Sequence, residues 1–183
     1  ISDKTKLIIL NSPANPTGGV IPLDDLKHIA EKAQKHDAWI LADEIYTRLV
    51  YDGMGSAPSI ASVDGMLDRT IIADGFSKTF SMTGWRLGYA IAPPKLAERL
   101  ELLVTHSTGS TAEFTQYAGM EALTGPQDFV SEMVSEYQQR RDRLVELVNA
   151  IPGVHAQKPQ GAFYVFPSVK SFGISEREIQ LQL

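Results

Sequence analysis

Apolar residues cluster in short runs through the first half of the chain. Residues 6–10, 38–42, 70–73 and 87–92 each hold a few consecutive aliphatic positions bounded by turn formers. That length and continuity predict strands buried on both faces, as in a parallel sheet. Between the first two runs, residues 23–36 change to helical spacing, with Leu26, Ile29, Ala30 and Ala33 on one face. Residues 51–66, with Gly53, Gly55 and Pro58, read as loop. After Pro94 the pattern becomes helical. Residues 95–106 carry Leu96, Leu100 and Leu103 on one side, and residues 112–123 form a second helix after a polar break. Thr124-Gly125-Pro126 stops it. Residues 127–149 then predict one long helix, with Val130, Met133, Tyr137, Leu144 and Val148 among its apolar positions. Residues 162–166 read as a further strand after a turn at Gly161.

Strands with an intervening helix, followed by helices, predict an α/β fold with a mostly parallel sheet and a domain transition near Pro94. Ser175 and Glu178 have capping-box spacing and predict a last helix. The chain stops at Leu183, about one and a half turns into that helix, and it opens on Ile1 with a strand close behind. Both ends are read as cuts, so the chain is expected to be an internal piece of a longer polypeptide.

Composition narrows the function classes. Hydrophobic residues make up 43%, enough for a real core and too many for disorder. The net charge is -5 and no basic stripe is present, which argues against nucleic acid as a partner. The absence of cysteine rules out a disulfide framework and a thiolate metal site. His28, His36, His106 and His155 lack metal-ligand spacing, and no metal is expected. No apolar run approaches a membrane span. The expectation is a soluble, cytoplasmic protein.

Candidate chemistry gathers just past the strand ends, where open α/β sheets bind ligands. Asn15, Asp43 and Lys78 all occupy such positions. Lys78 lies in Asp74-Gly75-Phe76-Ser77-Lys78, and Arg86 follows eight residues later among glycines. A lysine amine freed of its proton can form a Schiff base with a carbonyl. An arginine fork suits a phosphate. Together they suggest a carbonyl cofactor that carries a phosphate, and pyridoxal 5'-phosphate (PLP) fits. A surface lysine after a strand fits the same stretch.

Five segments occur in a telling order: Asn15-Pro16-Thr17-Gly18, Asp43-Glu44-Ile45-Tyr46, Ser77-Lys78, Trp85-Arg86-Leu87-Gly88 and Gly161-Ala162-Phe163-Tyr164. The ordered set closely resembles the class I/II aminotransferases, the aspartate and aromatic aminotransferase branch of fold type I PLP-dependent enzymes. The resemblance covers essentially the whole chain. It implies that residues 1–94 are the C-terminal portion of a PLP-binding large domain with a mostly parallel sheet. Residues 95–125 would be a connecting helical segment and 126–183 part of a smaller α+β domain.

The resemblance also implies roles. Lys78 would hold PLP covalently and serve as general base and acid in transamination. Asp43 would pair with the pyridine nitrogen and keep it protonated, so that the ring acts as an electron sink. Tyr46 and Asn15 would hydrogen-bond the phenolic oxygen, and Arg86 would bind the phosphate. Amino acids and 2-oxo acids would be the substrates and a homodimer the parent assembly. One position departs from the pattern. Many family members carry a serine three residues before the lysine, and here Gly75 offers only a backbone N–H. In the family an upstream loop and aromatic ring also hold PLP, and a downstream arginine grips the substrate carboxylate. Those segments lie outside this chain, which alone is expected to bind PLP weakly and to be inactive. Carbon–sulfur lyases and aminocyclopropane-carboxylate synthases share the same core set. A transcription regulator with an aminotransferase-like effector domain is a reading from another class.

Overall fold

The computed structural model describes residues 1–182. In chain order its main elements are β1 (Leu7–Asn11), α1 (Leu23–Lys35), β2 (Trp39–Asp43), β3 (Thr70–Gly75), α2 (Phe76–Thr79), β4 (Gly88–Ile91), α3 (Pro94–Ser107), α4 (Glu113–Thr124), α5 (Asp128–Asn149) and α6 (Glu176–Gln182). The sheet order is β1-β2-β3-β4. β1, β2 and β3 are parallel, and β4 returns antiparallel beside β3. The fold is therefore α/β with a mostly parallel sheet.

Helix α1 covers one face of that sheet. Its period brings Leu26, Ala30 and Ala33 inward against Ile40 and Ala42 of β2, with Ile60 and Met66 from the following loop closing the cluster. Burying such side chains stabilises by roughly 1.5–3 kcal/mol for each large aliphatic. Asp24 and Asp25 in the first turn and Lys32 and Lys35 in the last complement the helix dipole, which compensates for the lack of a side-chain cap at Pro22.

A second cluster lies under the far end of β2. Tyr46, Leu49 and Ala162 are buried there, with Met133, Val134 and Tyr137 of α5 packed against them. This cluster joins the segment after β2 to the long helix and to the Gly161 turn.

Two expectations are corrected. Residues 162–166 do not form a strand: Gly161 makes one isolated bridge to Val50. Ala162 then adopts a left-handed backbone, φ 56°, which ends any extended run. Its N–H is donated to Leu49 O at 2.8 Å. Burial on both faces fails for the two edge strands: Ile9 of β1 is 66% exposed and all four residues of β4 are exposed, since each has a neighbour on one side only. Among the described residues α3 has no buried position: on its apolar face Leu96 and Leu100 are half-buried and Leu103 is 63% exposed. The capping box at Ser175 does form, with Ser175 Oγ accepting from Glu178 N–H and Glu178 accepting from Ser175 N–H. Leu183, the last residue of the expected helix, lies outside the described residues.

Candidate active site

Parallel pairing puts Asn11 beside Asp43 at the carboxyl ends of β1 and β2. Asn11 Nδ2 donates to Asp43 Oδ2 at 3.0 Å. The other end of the same amide, Oδ1, accepts the Asn15 N–H at 2.7 Å. One asparagine thus orients the carboxylate and fastens the Asn15-Pro16-Thr17-Gly18 turn above it. The Asn15 side chain itself is exposed. Asn11 was not singled out by its sequence context. Its signal was a second asparagine at a strand end, which only the register makes meaningful.

Tyr46 follows β2 in a tight turn closed by Thr47 N–H to Glu44 O at 2.8 Å. It is 3% exposed. Its hydroxyl lies 2.6 Å from that of Tyr164. The two rings meet edge to face, with centroids 5.7 Å apart, and Phe163 meets Tyr46 in the same manner at 5.3 Å. Burial holds the Tyr46 phenol well above its ordinary pKa. Tyr46 therefore remains a hydroxyl donor at neutral pH.

Lys78 sits in α2, the short helix that continues β3. Its amine lies 5.9 Å from the Tyr46 ring centroid and 5.5 Å from that of Phe163. Cations favour such aromatic faces. Among the described residues no carboxylate pairs with this half-buried amine and it makes no hydrogen bond. It is available for covalent chemistry at the end of the strand.

Arg86 adopts a left-handed backbone at φ 54° and ψ 48°, ending a short 3-10 turn over Thr83–Trp85. Such a conformation is unfavourable for a non-glycine residue, and such outliers concentrate at functional sites. Arg86 Nη1 donates to Thr83 O at 2.9 Å. Its exposed guanidinium lines a recess of about 540 Å³ with Ser81, Gly84, Thr111 and Thr115. Among the described residues no carboxylate takes it. No hydrogen bond or ion pair links Arg86 to Asn15, Asp43, Tyr46 or Lys78. Asp43, Tyr46 and Lys78 thus share one neighbourhood, Asn15 joins it through Asn11, and Arg86 borders it on a separate recess.

Gly75 explains its own departure from the family pattern. A Cβ there would meet Gly88 Cα and Leu87 O at 3.0 Å, because Gly75 pairs directly with Gly88 at the start of β4. Its N–H is donated to Asp74 Oδ1 at 2.6 Å. Burial raises the Asp74 pKa, while that N–H and the Tyr89 hydroxyl oppose the shift. Gly75→Ser is therefore expected to lower stability by about 1–3 kcal/mol, the range for overpacking. Urea denaturation of the variant measures this, and an unchanged midpoint would show that β4 yields freely.

The set of groups suits PLP by its chemistry: an unpaired amine, an oriented carboxylate, a protonated phenol and a guanidinium with no carboxylate partner among the described residues match an aldehyde, a pyridine nitrogen, a phenolic oxygen and a phosphate.

Residues 1–181 match the family model for aminotransferase class I and II. The chain belongs to the class I and II aminotransferases. It is 44% identical over 180 residues to aromatic-amino-acid aminotransferase 2 of Thermococcus litoralis, covering 97% of this chain and 46% of that relative. It is 43% identical over 169 residues to the asparagine–oxo-acid transaminase of Streptococcus mutans, covering 92% of this chain and 43% of the relative. Among solved structures, the aromatic aminotransferase of Pyrococcus horikoshii superposes with a TM-score of 0.93 at 41% identity, over 98% of this chain and 48% of that one. This aminotransferase chain thus spans about half the length of the relatives it matches. Among the described residues, no helix is long and apolar enough to cross a membrane.

Proposed function

We propose that this chain carries the lysine-bearing part of a PLP-dependent aminotransferase that moves an amino group between an amino acid and a 2-oxo acid. The observation that carries the reading is the meeting of an unpaired Lys78 amine with buried Tyr46 beside an oriented Asp43. In this reading Lys78 anchors the cofactor and then takes and returns the substrate α-proton at its Nζ. Bound PLP supplies an electron sink for the charge left on the α-carbon. Asp43 keeps the pyridine nitrogen protonated, and Asn11 fixes the direction of its carboxylate. Tyr46 donates to the phenolic oxygen, Asn15 adds its amide there, and Arg86 grips the phosphate. Residues 1–94 belong to a PLP-binding large domain, 95–125 to a connecting helical segment and 126–183 to a smaller domain. The resemblance adds a homodimer and a cytoplasmic location.

The names of the relatives direct the assay to aspartate, asparagine and aromatic amino acids. The protein expressed from its full reading frame, supplied with PLP, is expected to consume one of these only when a 2-oxo acid acceptor is present, with matched formation of the new 2-oxo acid. Pyruvate, ammonia and a thiol from a sulfur-containing substrate, without acceptor, would replace this reading with the lyase one.

A further inference from the structure

Tyr164 belongs to a turn that is fastened at several points. Gly161 N–H is donated to Gly18 O at 2.9 Å and Ala162 N–H to Leu49 O at 2.8 Å. The Tyr51 hydroxyl donates to Ala162 O. Gly161 has no room for a side chain, since a Cβ would lie 2.8 Å from Pro13. The turn therefore sets where the Tyr164 hydroxyl can be, and it is set 2.6 Å from the Tyr46 hydroxyl. That distance allows one proton between the two oxygens. Each phenol has a single proton to give. Whichever tyrosine accepts keeps its own proton for another partner.

We infer that Tyr164 is a positioning residue: its hydroxyl donates to the Tyr46 oxygen and so aims the Tyr46 proton at the space in front of Lys78. This rests on the PLP reading, because an anionic oxygen beside Lys78 is the acceptor that selects this arrangement. A hydroxyl that accepts one hydrogen bond is a better donor of the next. Tyr46 makes no other hydrogen bond through its hydroxyl among the described residues. Without Tyr164 nothing in this set restrains the rotation of that hydroxyl. The edge-to-face ring contact would survive in Tyr164→Phe, which removes the relay and leaves the packing.

The test uses the PLP-loaded protein from the full reading frame. A donor on the phenolic oxygen draws charge from it, so the neighbouring nitrogen holds its proton less tightly. Weakening the donor raises the pH midpoint of the bound cofactor's absorption change. Tyr164→Phe is expected to raise that midpoint, by up to about one pH unit for one hydrogen bond. Tyr46→Phe is expected to raise it further, and the double variant should match Tyr46→Phe alone, because Tyr164 acts through Tyr46. An unmoved midpoint in Tyr164→Phe, or an additive double variant, would overturn the inference while leaving the PLP reading intact. Failure of borohydride to fix PLP on Lys78 of the unmodified protein would sink the PLP reading and this inference with it. A cofactor-free measurement stands beside these. NMR of the unmodified chain is expected to show an exchange-protected phenolic proton correlated with both rings, and its absence would also overturn the inference.

Discussion

Lys78→Ala is expected to abolish borohydride-fixed PLP and to reduce transamination by the full reading frame at least roughly 10²–10⁴-fold, the range for a lost positioned general base. The variant removes the covalent anchor and the proton carrier together, so that range is a floor for the combined loss. Folding should be untouched. The Lys78 amine makes no ion pair or hydrogen bond among the described residues, and substitutions away from such features change stability by about 0.5 kcal/mol or less. The only packing lost is the lysine stem and its approach to two aromatic rings. Activity, mass-mapped PLP fixation and the urea midpoint are measured together. A silent midpoint with lost fixation assigns the residue to chemistry. Retained turnover would remove Lys78 from its assigned role.

The second large effect is structural. Arg141 is buried on α5, and its guanidinium ties three distant stretches together. It reaches both oxygens of Asp52 at 2.9 Å, accepts none and donates also to Pro159 O at 3.0 Å. A further contact runs to Asp142 at 2.8 Å, and the Tyr51 ring lies 4.5 Å beneath. Arg141→Ala would leave the Pro159 carbonyl without its donor and the two carboxylates with Lys158 alone, 3.8 Å from Asp52 and 3.0 Å from Asp142. Breaking a buried pair costs about 3–5 kcal/mol, but Asp52 and Asp142 keep access to water, so about 2–4 kcal/mol is expected.

The pH dependence of this cluster has a definite sign. The Arg141 hydrogen bonds hold the Asp52 pKa below its ordinary value, and Lys158 followed by Arg141 does the same for Asp142. Depressed carboxyl groups stabilise fully above the unfolded-state value of about 4 and lose that contribution as pH falls through the folded-state value. The unmodified chain should therefore resist urea better at pH 7 than at pH 3. Arg141→Ala should narrow that difference. An equal difference in both proteins would assign the acid sensitivity to other groups. Because Arg141 also holds the carbonyl of Pro159, loosening it should disturb the turn that carries Tyr164.

Elements set by local pattern were legible in the sequence. The β1, β2 and β3 runs and the α1, α3, α4 and α5 helices begin and end within a few residues of where apolar spacing and turn formers put them. Lys78, Asp43 and Tyr46 were legible as candidates because each lies at a strand end or within a few residues of one. Residues 162–166 misled because an apolar, aromatic stretch looks the same whether it pairs or turns. The left-handed Ala162 and its bond to Leu49 made it turn. The β1 and β4 runs misled as to burial, because an apolar run looks the same at the edge of a sheet as at its centre.

By itself the sequence determined the family, the α/β plan and the residue types available for chemistry, because backbone geometry and periodicity act over a few positions. Only the tertiary structure decided that Asn11 would orient Asp43 and that Tyr164 would meet Tyr46 across 118 residues of chain. It also decided that β4 would crowd any side chain at Gly75. Those outcomes depend on strand register and on turns pinned by distant carbonyls. Pairings of that kind are formed between segments, and no single segment encodes them.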